Sequence, residues 1–414
     1  MAAAFVLLVN FSTPVARACA GAPVLKELAQ LVSFSGSLTD QLAHEGAQFV
    51  GQTQEENGVS MYVDSLIVDQ KRLTVFFRVD TDIAPKALMR YGLRDAEGYI
   101  DERFTRIEWQ ENEMNVPNGQ MRSTTIDFGR DDVPEELFLE FGIYLRMKGG
   151  RPLTEDDIYE WDTVQNLGKE EAVLSFHLNI EPGRRVQGYE KHFAQELLLA
   201  DQVYAIEAVN IYSSKAEICM KGREANTAWL QSLEFYLECE DGTIRRPNRT
   251  DILWEGGVWS KERKYYCESP YYHMPSGKVK LVITGATLLD KGHRRGGVNL
   301  RTGELTDMPE WIEFGSVREE DGCTVLRLYK RDFGAERHGI FMGGYATAPE
   351  ENEPDQMWVD YAWGDWMQDG ESIGRYCDYY LNPDDLDGDW ICMPLSISRY
   401  WQPDQPVEIE LQMD

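Results

Sequence analysis

The sequence has little positive charge, and this shortage excludes whole classes of partner. Lysine and arginine number 41 against 71 aspartate and glutamate residues, which gives a formal net charge of −30. A field of that sign repels the phosphate backbone of nucleic acids and the anionic headgroups of lipids. We therefore expect no nucleic-acid partner, and the acidity is typical of a protein kept soluble in an exposed setting.

The sequence also lacks the common signatures of catalysis and of cofactor binding. It contains no His-Glu-x-x-His pair, no nucleophile elbow, no Walker loop and no Gly-x-Gly-x-x-Gly turn. Carboxylate pairs carry no information in so acidic a chain, because chance pairs occur everywhere. We predict a protein that is not an enzyme and holds no cofactor, and a hydrolase is kept only as a third hypothesis.

Cysteine is sparse and follows no metal-binding pattern. None of the seven cysteines lies in a Cys-x-x-Cys pair, and no histidine stands at zinc-finger spacing from one. This arrangement excludes the usual structural zinc sites. Buried thiols are the default expectation, and two disulfides, Cys219 with Cys239 and Cys377 with Cys392, are the alternative in an exported chain.

Long apolar runs are missing too. Residues Ala2 to Val9 are apolar, but a helix that spans a bilayer needs about 20 such residues. Small residues on either side of Cys19 resemble a signal-peptide cleavage site, yet no basic residue precedes the apolar run. We interpret residues 1–20 as a partial membrane helix, whose earlier half is missing from the sequence, or as a signal-like segment.

Residues 21–56 read as a helical segment. Pro23 is well placed to begin a helix with an apolar face. A second short helix is predicted over residues 38–49, with Leu42, Ala43 and Phe49 on it. The segment is expected to pack on the β region that follows or on a membrane surface.

What the chain does contain is a repeated hairpin with period-two alternation. Residues 57–79 form two runs in which apolar and polar side chains alternate, separated by the polar turn at residues 69–72. Period two predicts one apolar and one wet face on each strand. A weak copy lies 143 positions later, where Val63 matches Ile206 and Arg72 matches Lys215. A looser third copy begins at Trp311.

Three hairpins predict three β domains. We place them at residues 57–182, 183–291 and 292–414, each of a size usual for an immunoglobulin-like module. The second domain is expected to begin with a helix through residues 192–199, and Val407–Leu411 is expected to close the third. The predicted fold class is mainly β, with tandem immunoglobulin-like β-sandwich domains preceded by a short helical N-terminal segment.

The first 80 or so residues resemble a known bacterial family. The residues that carry the resemblance are Val9–Ala16, Ala22–Leu28, His44–Gln48, and Asn57–Val59 with Asp64 and Asp69. They resemble the membrane-anchored proteins of Gram-positive bacteria grouped as domain-of-unknown-function family 4179, many of which are described as anti-sigma-factor-like. The resemblance implies a cytoplasmic segment that engages an extracytoplasmic-function sigma factor, one membrane helix, and an exported β region. Compared with that plan, we expect this sequence to lack the cytoplasmic segment and the first half of the membrane helix, which puts a direct contact with a sigma factor in doubt.

The segment from Met357 to Trp366 has the most unusual composition in the chain. Its rings could form a stacking platform for a sugar, with nearby carboxylates to bind hydroxyls. The alternative is a strand whose aromatic side chains fill a core. The candidate binding residues are Trp358, Tyr361, Trp363 and Trp366.

The densest carboxylate cluster lies around Gly388. Oxygen ligands at this spacing could hold calcium, although the order of the acids does not follow the calcium-loop pattern. A solvated turn is the alternative. The candidate metal ligands are Asp384, Asp385, Asp387 and Asp389.

Two functional hypotheses of different classes remain open. The first is a non-enzymatic sensory or interaction region outside the cytoplasm, anchored in the cell membrane through the N-terminal segment and linked to a sigma factor, as the resemblance implies. Its partner would be an extracytoplasmic protein or ligand. The second is a secreted or surface protein that recognises a glycan through the tryptophan-rich segment.

Overall fold

The computed structural model describes residues 28–94, 106–108, 115–129, 132–154, 166–247, 254–255, 260–291, 294–331, 338–342, 360–368, 371–386 and 388–413. Within these ranges the chain is mainly β, with several antiparallel sheets and little helix, which confirms the predicted fold class at that level. The immunoglobulin-like subclass stays a prediction.

Helix is confined to short pieces. A helical turn at residues 28–31 precedes helix α1 (Gly36–His44), and two 3-10 turns lie at Tyr271–His273 and Pro383–Asp385. No helix among the described residues is both long enough and apolar enough to cross a bilayer. The prediction that the second helix reaches Phe49 is wrong, because Gly46 adopts a φ of +73° and ends the helix. Phe49 lies instead on the first strand, β1 (Gln48–Glu56).

The first unit is a pair of facing antiparallel sheets. One has the order β1-β2-β3-β7-β5 and the other the order β6-β4-β8-β9. Their side chains form one core, in which Val63 and Phe77 from the first sheet meet Leu139 and Phe141 from the second. After β1, its strands are β2 (Val59–Val68), β3 (Arg72–Thr81), β4 (Lys86–Arg94), β5 (Arg106–Glu108), β6 (Asn115–Pro117), β7 (Met121–Asp127), β8 (Glu136–Tyr144) and β9 (Ala172–Asn179).

Part of the outer face of the first sheet is covered by the helical segment, so the prediction of a solvent-exposed face fails there, whereas the predicted packing of that segment on the following β region is confirmed. Leu28, Val32 and Leu38 of the helical segment pack on Ile67 and Phe76, and all of these side chains are buried. The sequence pattern predicts one apolar face per strand, whereas the helical segment buries part of the second face as well.

The second unit repeats the first sheet and begins a larger one. Its five-stranded sheet has the order β10-β11-β12-β16-β15, and β13 and β17 form the facing layer. The predicted helix through residues 192–199 is wrong, because these residues lie in β10, paired with β11. The strands are β10 (Tyr189–Leu199), β11 (Gln202–Ile211), β12 (Lys215–Gly222), β13 (Ala228–Cys239), β14 (Ile244–Arg245), β15 (Trp254–Glu255), β16 (Glu262–Glu268) and β17 (Lys278–Asp290).

The third unit shares a sheet with the second. A four-stranded sheet of order β20-β21-β24-β23 faces strands of an eight-stranded sheet, and that sheet continues into the second unit where β25 pairs with β17. The strands are β18 (Arg294–Asn299), β19 (Leu305–Thr306), β20 (Ile312–Glu320), β21 (Cys323–Arg331), β22 (His338–Met342), β23 (Asp360–Gln368), β24 (Glu371–Leu381), β25 (Trp390–Trp401) and β26 (Val407–Gln412).

The last strand does not close the third unit, contrary to prediction. Strand β26 pairs with residues 278–283 of β17, and Ile409 and Leu411 lie in the second core. The alternation of apolar and polar residues predicted a strand correctly. It does not indicate with which sheet that strand pairs. The predicted domain limits themselves stay predictions.

The sequence repeat is present in the strand pairing. Val63 pairs with Phe77, and 143 positions later Ile206 pairs with Met220. In the third copy Phe314 pairs with Leu328. A bulge follows the first residue of each of these pairs. The three hairpins therefore share their register and their irregularity, which confirms that they are copies of one element.

The alternative disulfides are not formed. Cys219 and Cys239 lie on β12 and β13, which belong to different sheets, and Cys377 and Cys392 likewise lie on β24 and β25. Burial raises the pKa of the Cys239 and Cys377 thiols to about 11. Both thiols therefore stay protonated at neutral pH, as buried structural cysteines do.

Candidate functional site at the junction of the first two units

Two hairpin turns, one from each of the first two units, meet at the candidate site. Residues 69–71 join β2 to β3, and residues 212–214 join β11 to β12. Asp69 is fully buried, and its Oδ1 accepts hydrogen bonds from the backbone N–H groups of Lys71 at 2.8 Å and Arg72 at 2.7 Å. Its Oδ2 accepts from the backbone N–H of Ser214 at 2.8 Å. One carboxylate thus stabilises its own turn and binds the opposite one. We call these two turns, with helix α1, Glu45 and the buried charged side chains beside them, the junction.

Two cations from equivalent positions of the repeat bind one buried carboxylate beside these turns. Arg72 begins β3 and Lys215 begins β12. The Nε of Arg72 lies 3.1 Å from Oδ2 of Asp127 on β7, and the ammonium of Lys215 contacts the same oxygen. Burial by itself would raise the pKa of Asp127, but the charges of Lys215 and Arg72 outweigh it and hold that pKa well below its ordinary value. Asp127 is therefore ionised at neutral pH.

Glu217 completes this buried cluster. Its Oε1 lies 2.8 Å from the Nζ of Lys215. Burial favours the neutral amine of Lys215, yet the carboxylates of Asp127 and Glu217 together keep its pKa above the ordinary value. Two cations and two anions thus balance where the units meet. A balanced buried cluster is costly to break, because removing one member leaves an unpaired charge away from water.

Helix α1 is bound to the second unit by polar contacts. Ser35 caps the helix, since its side chain accepts from the backbone N–H of Leu38 at 3.3 Å. The Nε2 of buried Gln41 donates to the Oγ of Ser213 at 2.8 Å. The helical segment therefore packs its apolar side on the first unit and hydrogen-bonds to the turn of the second.

Asp40 of α1 carries the charged part of this contact. Its Oδ2 binds the guanidinium of Arg245 and lies 3.1 Å from Nε2 of His273. The Nδ1 of His273 lies 2.7 Å from Oδ2 of Asp241, and that hydrogen bond is the main reason why the pKa of Asp241 falls to about 2. One histidine thus bridges a helix carboxylate and a loop carboxylate of the second unit.

Glu45, directly after α1, is the unusual acid of the junction. Burial, and then the nearby charge of Asp69, raise the pKa of Glu45 to about 8, against smaller opposite effects of a hydrogen bond with Ser213 and the charge of Arg184. In the described part of the chain its Oε1 has no hydrogen-bond partner. Glu45 therefore keeps its proton at neutral pH, which avoids a second buried anion next to Asp69.

This arrangement binds helix α1 to both β units. Its charged groups bind one another across three elements, and within the described ranges no three histidine, cysteine, aspartate or glutamate side chains converge as metal ligands do. Helix α1 follows the first described residues of the chain closely and contacts both β units. A displacement of one unit relative to the other must therefore disturb α1.

The structure describes only part of the predicted aromatic site. Trp358 lies outside the described residues. Tyr361, Trp363 and Trp366 lie on β23, an outer strand of the third unit's four-stranded sheet, and the structure describes their backbone only. The strand assignment agrees with the sequence pattern. Whether these rings bind a ligand stays a prediction.

The structure likewise describes only some of the predicted metal ligands. Asp387 and the side chain of Asp385 lie outside the description. Asp384 is exposed in the 3-10 turn Pro383–Asp385, and Asp389 is exposed with its Oδ2 3.0 Å from Nε of Arg301. A calcium site formed by these four residues stays a prediction.

Fold and junction together define a mainly β, multi-sheet protein whose N-terminal helical segment is bound where two β units meet. Residues 1–81 match the family described as domain of unknown function (DUF4179), which is the family that the resemblance named. The match covers the helical segment and the first hairpin, which supply Gln41, Glu45, Asp69 and Arg72 to the junction.

Comparisons with other proteins add distant likenesses. No curated protein matches the sequence. The crystal structure of the conserved domain protein from Bacillus anthracis is similar at 12% identity and a TM-score of 0.37, over 63% of this chain and 84% of that one. A marsupial T cell receptor is similar at 9% identity and a TM-score of 0.17, over 87% of this chain and 100% of that one.

The junction was not predicted from the sequence, although part of the pattern that indicates it is present there. The repeat alignment placed Arg72 opposite Lys215, two cations at the same position of two hairpins. The sequence predicts residues 69–72 as a polar turn without indicating burial, and all four residues are buried. A charged pair at equivalent turn positions is the signal that could have indicated a contact between hairpin ends.

Proposed function

We propose that this chain is the non-enzymatic sensory or interaction region of a membrane-anchored regulator, located outside the cytoplasm and linked to an extracytoplasmic-function sigma factor. The N-terminal segment supplies the anchor, and the β units contact an extracytoplasmic protein or ligand. The anchor and the sigma factor come from the family resemblance.

The observation that carries the proposal is the binding of α1 at the junction. Its Gln41 and Asp40 bind the second unit, while its Leu38 and the preceding Leu28 and Val32 pack on the first. A ligand that changes the relative position of the two units would change these contacts first. Among the described residues, the helical segment is closest in sequence to the proposed anchor. The junction is therefore the route by which a signal would pass between the β units and the anchor.

The location is tested on intact cells that express the complete gene with a C-terminal epitope tag. External protease should remove the tag from intact cells, and the protein should fractionate with membranes until the N-terminal segment is deleted. A tag that is cleaved only after lysis would contradict the proposal. A cytoplasmic enzyme with its own antibody serves as the control for cell integrity.

The regulatory role is tested by Asp40→Ala in the same gene. This variant removes the contacts of α1 with Arg245 and His273, whereas the control Thr39→Ala removes an exposed side chain that bonds only within its own helical segment. RNA sequencing should show one set of promoters that changes in Asp40→Ala cells and in gene-deletion cells but not in Thr39→Ala cells. Identical transcripts in the deletion and parent strains would contradict the role.

A further inference from the structure

Among the residues that the structure describes, the third copy of the hairpin has no counterpart of a strand that the first two copies have. Strand β2 is covered on its outer edge by β1, and β11 is covered in the same way by β10. Even the bulges agree, since the pairing shifts between Phe49 and Gln52 in the first copy and between His192 and Gln195 in the second. In the part of the chain that the structure describes, β20 pairs with β21 and no strand pairs with its other edge.

The sequence explains why the strand is missing there. Residues 57–58 form the β1–β2 turn with φ values of 51° and 80°, and the equivalent residues 200–201 have φ values of 49° and 63°. At the equivalent positions of the third copy stand Met308 and Pro309, and proline cannot adopt a positive φ. The preceding residues are used elsewhere, because Leu305 and Thr306 pair with β18.

The core side of β20 is less completely buried than that of β2 and β11, as expected where no described strand covers the edge. Val63 and Leu66 are fully buried in β2, and Ile206 and Val209 are fully buried in β11. Their equivalents in β20, Phe314 and Val317, are only partly buried. A covering strand would remove the remaining apolar surface of these two side chains from water.

The charge around this edge indicates what kind of strand fits it. Residues 304–321 contain seven acidic residues and one basic residue, Arg318. Arg318 is already bound to Asp378 and Glu320. A second copy of this chain would bring its own excess of acids to the contact, which disfavours self-association. A basic segment would be attracted.

We propose that the open edge of β20 binds an extended, basic segment of a partner protein by β-strand addition, in the register that β1 and β10 have on β2 and β11. The main-chain hydrogen bonds supply the contact, and alternate apolar side chains of the segment cover Phe314 and Val317. The residues that pair with it are 311–317, because their equivalents pair with β1 and β10. This binding does not require membrane anchoring, so it can fail or hold independently of the proposed function.

The test uses a fluorescent peptide that copies β10 with its two acids replaced by lysine, YKKHFAQKLLL, and the whole chain. Anisotropy should rise saturably, and hydrogen exchange of amides 311–317 should slow when the peptide is added. A peptide with proline in place of its phenylalanine and of its second leucine should not bind. Self-association of the chain through this edge would appear as a dimer in light scattering, and it would overturn the choice of a foreign partner.

Charge reversal distinguishes this edge from the opposite one. Glu310→Lys with Glu313→Lys should weaken the peptide at least about tenfold, which is about 1.4 kcal/mol. The matched control reverses two exposed acids elsewhere in the third unit, Asp365→Lys on β23 and Asp384→Lys, and should leave the affinity unchanged. Circular dichroism melting confirms that both variants fold. Protection of amides 311–317 before peptide is added, or equal weakening in both variants, would overturn the proposal.

Discussion

At the scale of single residues, Asp127 is the most consequential side chain of the junction. The change Asp127→Asn leaves Arg72 and Lys215 buried without their shared anion, so we expect a loss of about 3–5 kcal/mol in the free energy of unfolding. Urea titration followed by circular dichroism measures it. Asp384→Asn, at an exposed site, should cost less than about 0.5 kcal/mol. A loss at Asp127 as small as this control would show that the cluster does not hold the units together.

The pKa of Glu45 gives the junction a pH dependence of definite sign. Its pKa is raised by folding, so the folded chain binds more protons than the unfolded chain between pH 4.5 and about 8. Stability contributed by this group is complete below its unfolded pKa and is lost as pH rises towards 8. Each unit of pKa shift corresponds to about 1.4 kcal/mol. Glu45→Gln should therefore be less sensitive to pH in this window and more stable than the parent at pH 8.

Melting temperatures at intervals from pH 5 to pH 8.5 measure the effect of Glu45→Gln. Glu310→Gln, which replaces an exposed acid of the third unit, is the matched control and should follow the parent curve. Parallel curves for the parent and Glu45→Gln would show that Glu45 titrates normally in the folded chain.

At the scale of elements, helix α1 is held so closely that one methyl group should displace it. A Cβ on Gly36 would overlap the guanidinium of Arg245 and the carboxylate of Glu268. Gly36→Ala would favour the isolated helix by about 1 kcal/mol through its intrinsic propensity. We nevertheless expect a destabilised junction. Hydrogen exchange over residues 28–44 should become faster, while exchange in β21 and β24 should stay unchanged. Slower exchange over residues 28–44 would mean that intrinsic propensity outweighs the overlap.

The elements that the sequence predicted correctly are those with strict alternation. The hairpins of β2–β3 and β11–β12 could be predicted because burial of one face makes apolar and polar residues alternate, as in Val59–Val63 and Leu73–Phe77. Strand β10 was predicted as a helix because its own pattern is weak, with mostly exposed residues up to Leu197. Its backbone is fixed by pairing with β11, a tertiary cause that the local sequence does not carry.

At the scale of the whole molecule, the three copies are not equivalent units joined in a row. The first two meet through their hairpin ends at Asp69, whereas the second and third share a sheet through β17 and β25. The sequence repeat predicted the number of copies but neither contact. The shared sheet was not predicted because Ala286–Leu289 pair with Ser398–Trp401, more than a hundred positions further along the chain. The junction was not predicted because the alternation pattern does not distinguish its buried charged side chains from solvated ones.

The C-terminal strand gives the sharpest test of this architecture. Removing residues 406–414 takes β26 from the edge of β17 and deletes Ile409, Leu411 and Met413 from the second core. Burial of each such side chain contributes about 1.5–3 kcal/mol, so a loss of roughly 5 kcal/mol or more is expected.

Hydrogen exchange shows which unit the loss affects. Amides of β13 and β17 should exchange faster in the truncated chain while those of β21 and β24 keep their protection. Glu408→Gln with Glu410→Gln changes only exposed side chains of β26 and serves as the control. Faster exchange confined to β21 and β24 would place β26 in the third unit, as the sequence alone predicted. The expected result instead makes the end of the chain part of the second unit, so that the third unit is enclosed in sequence between β17 and β26, the two strands that pair with each other.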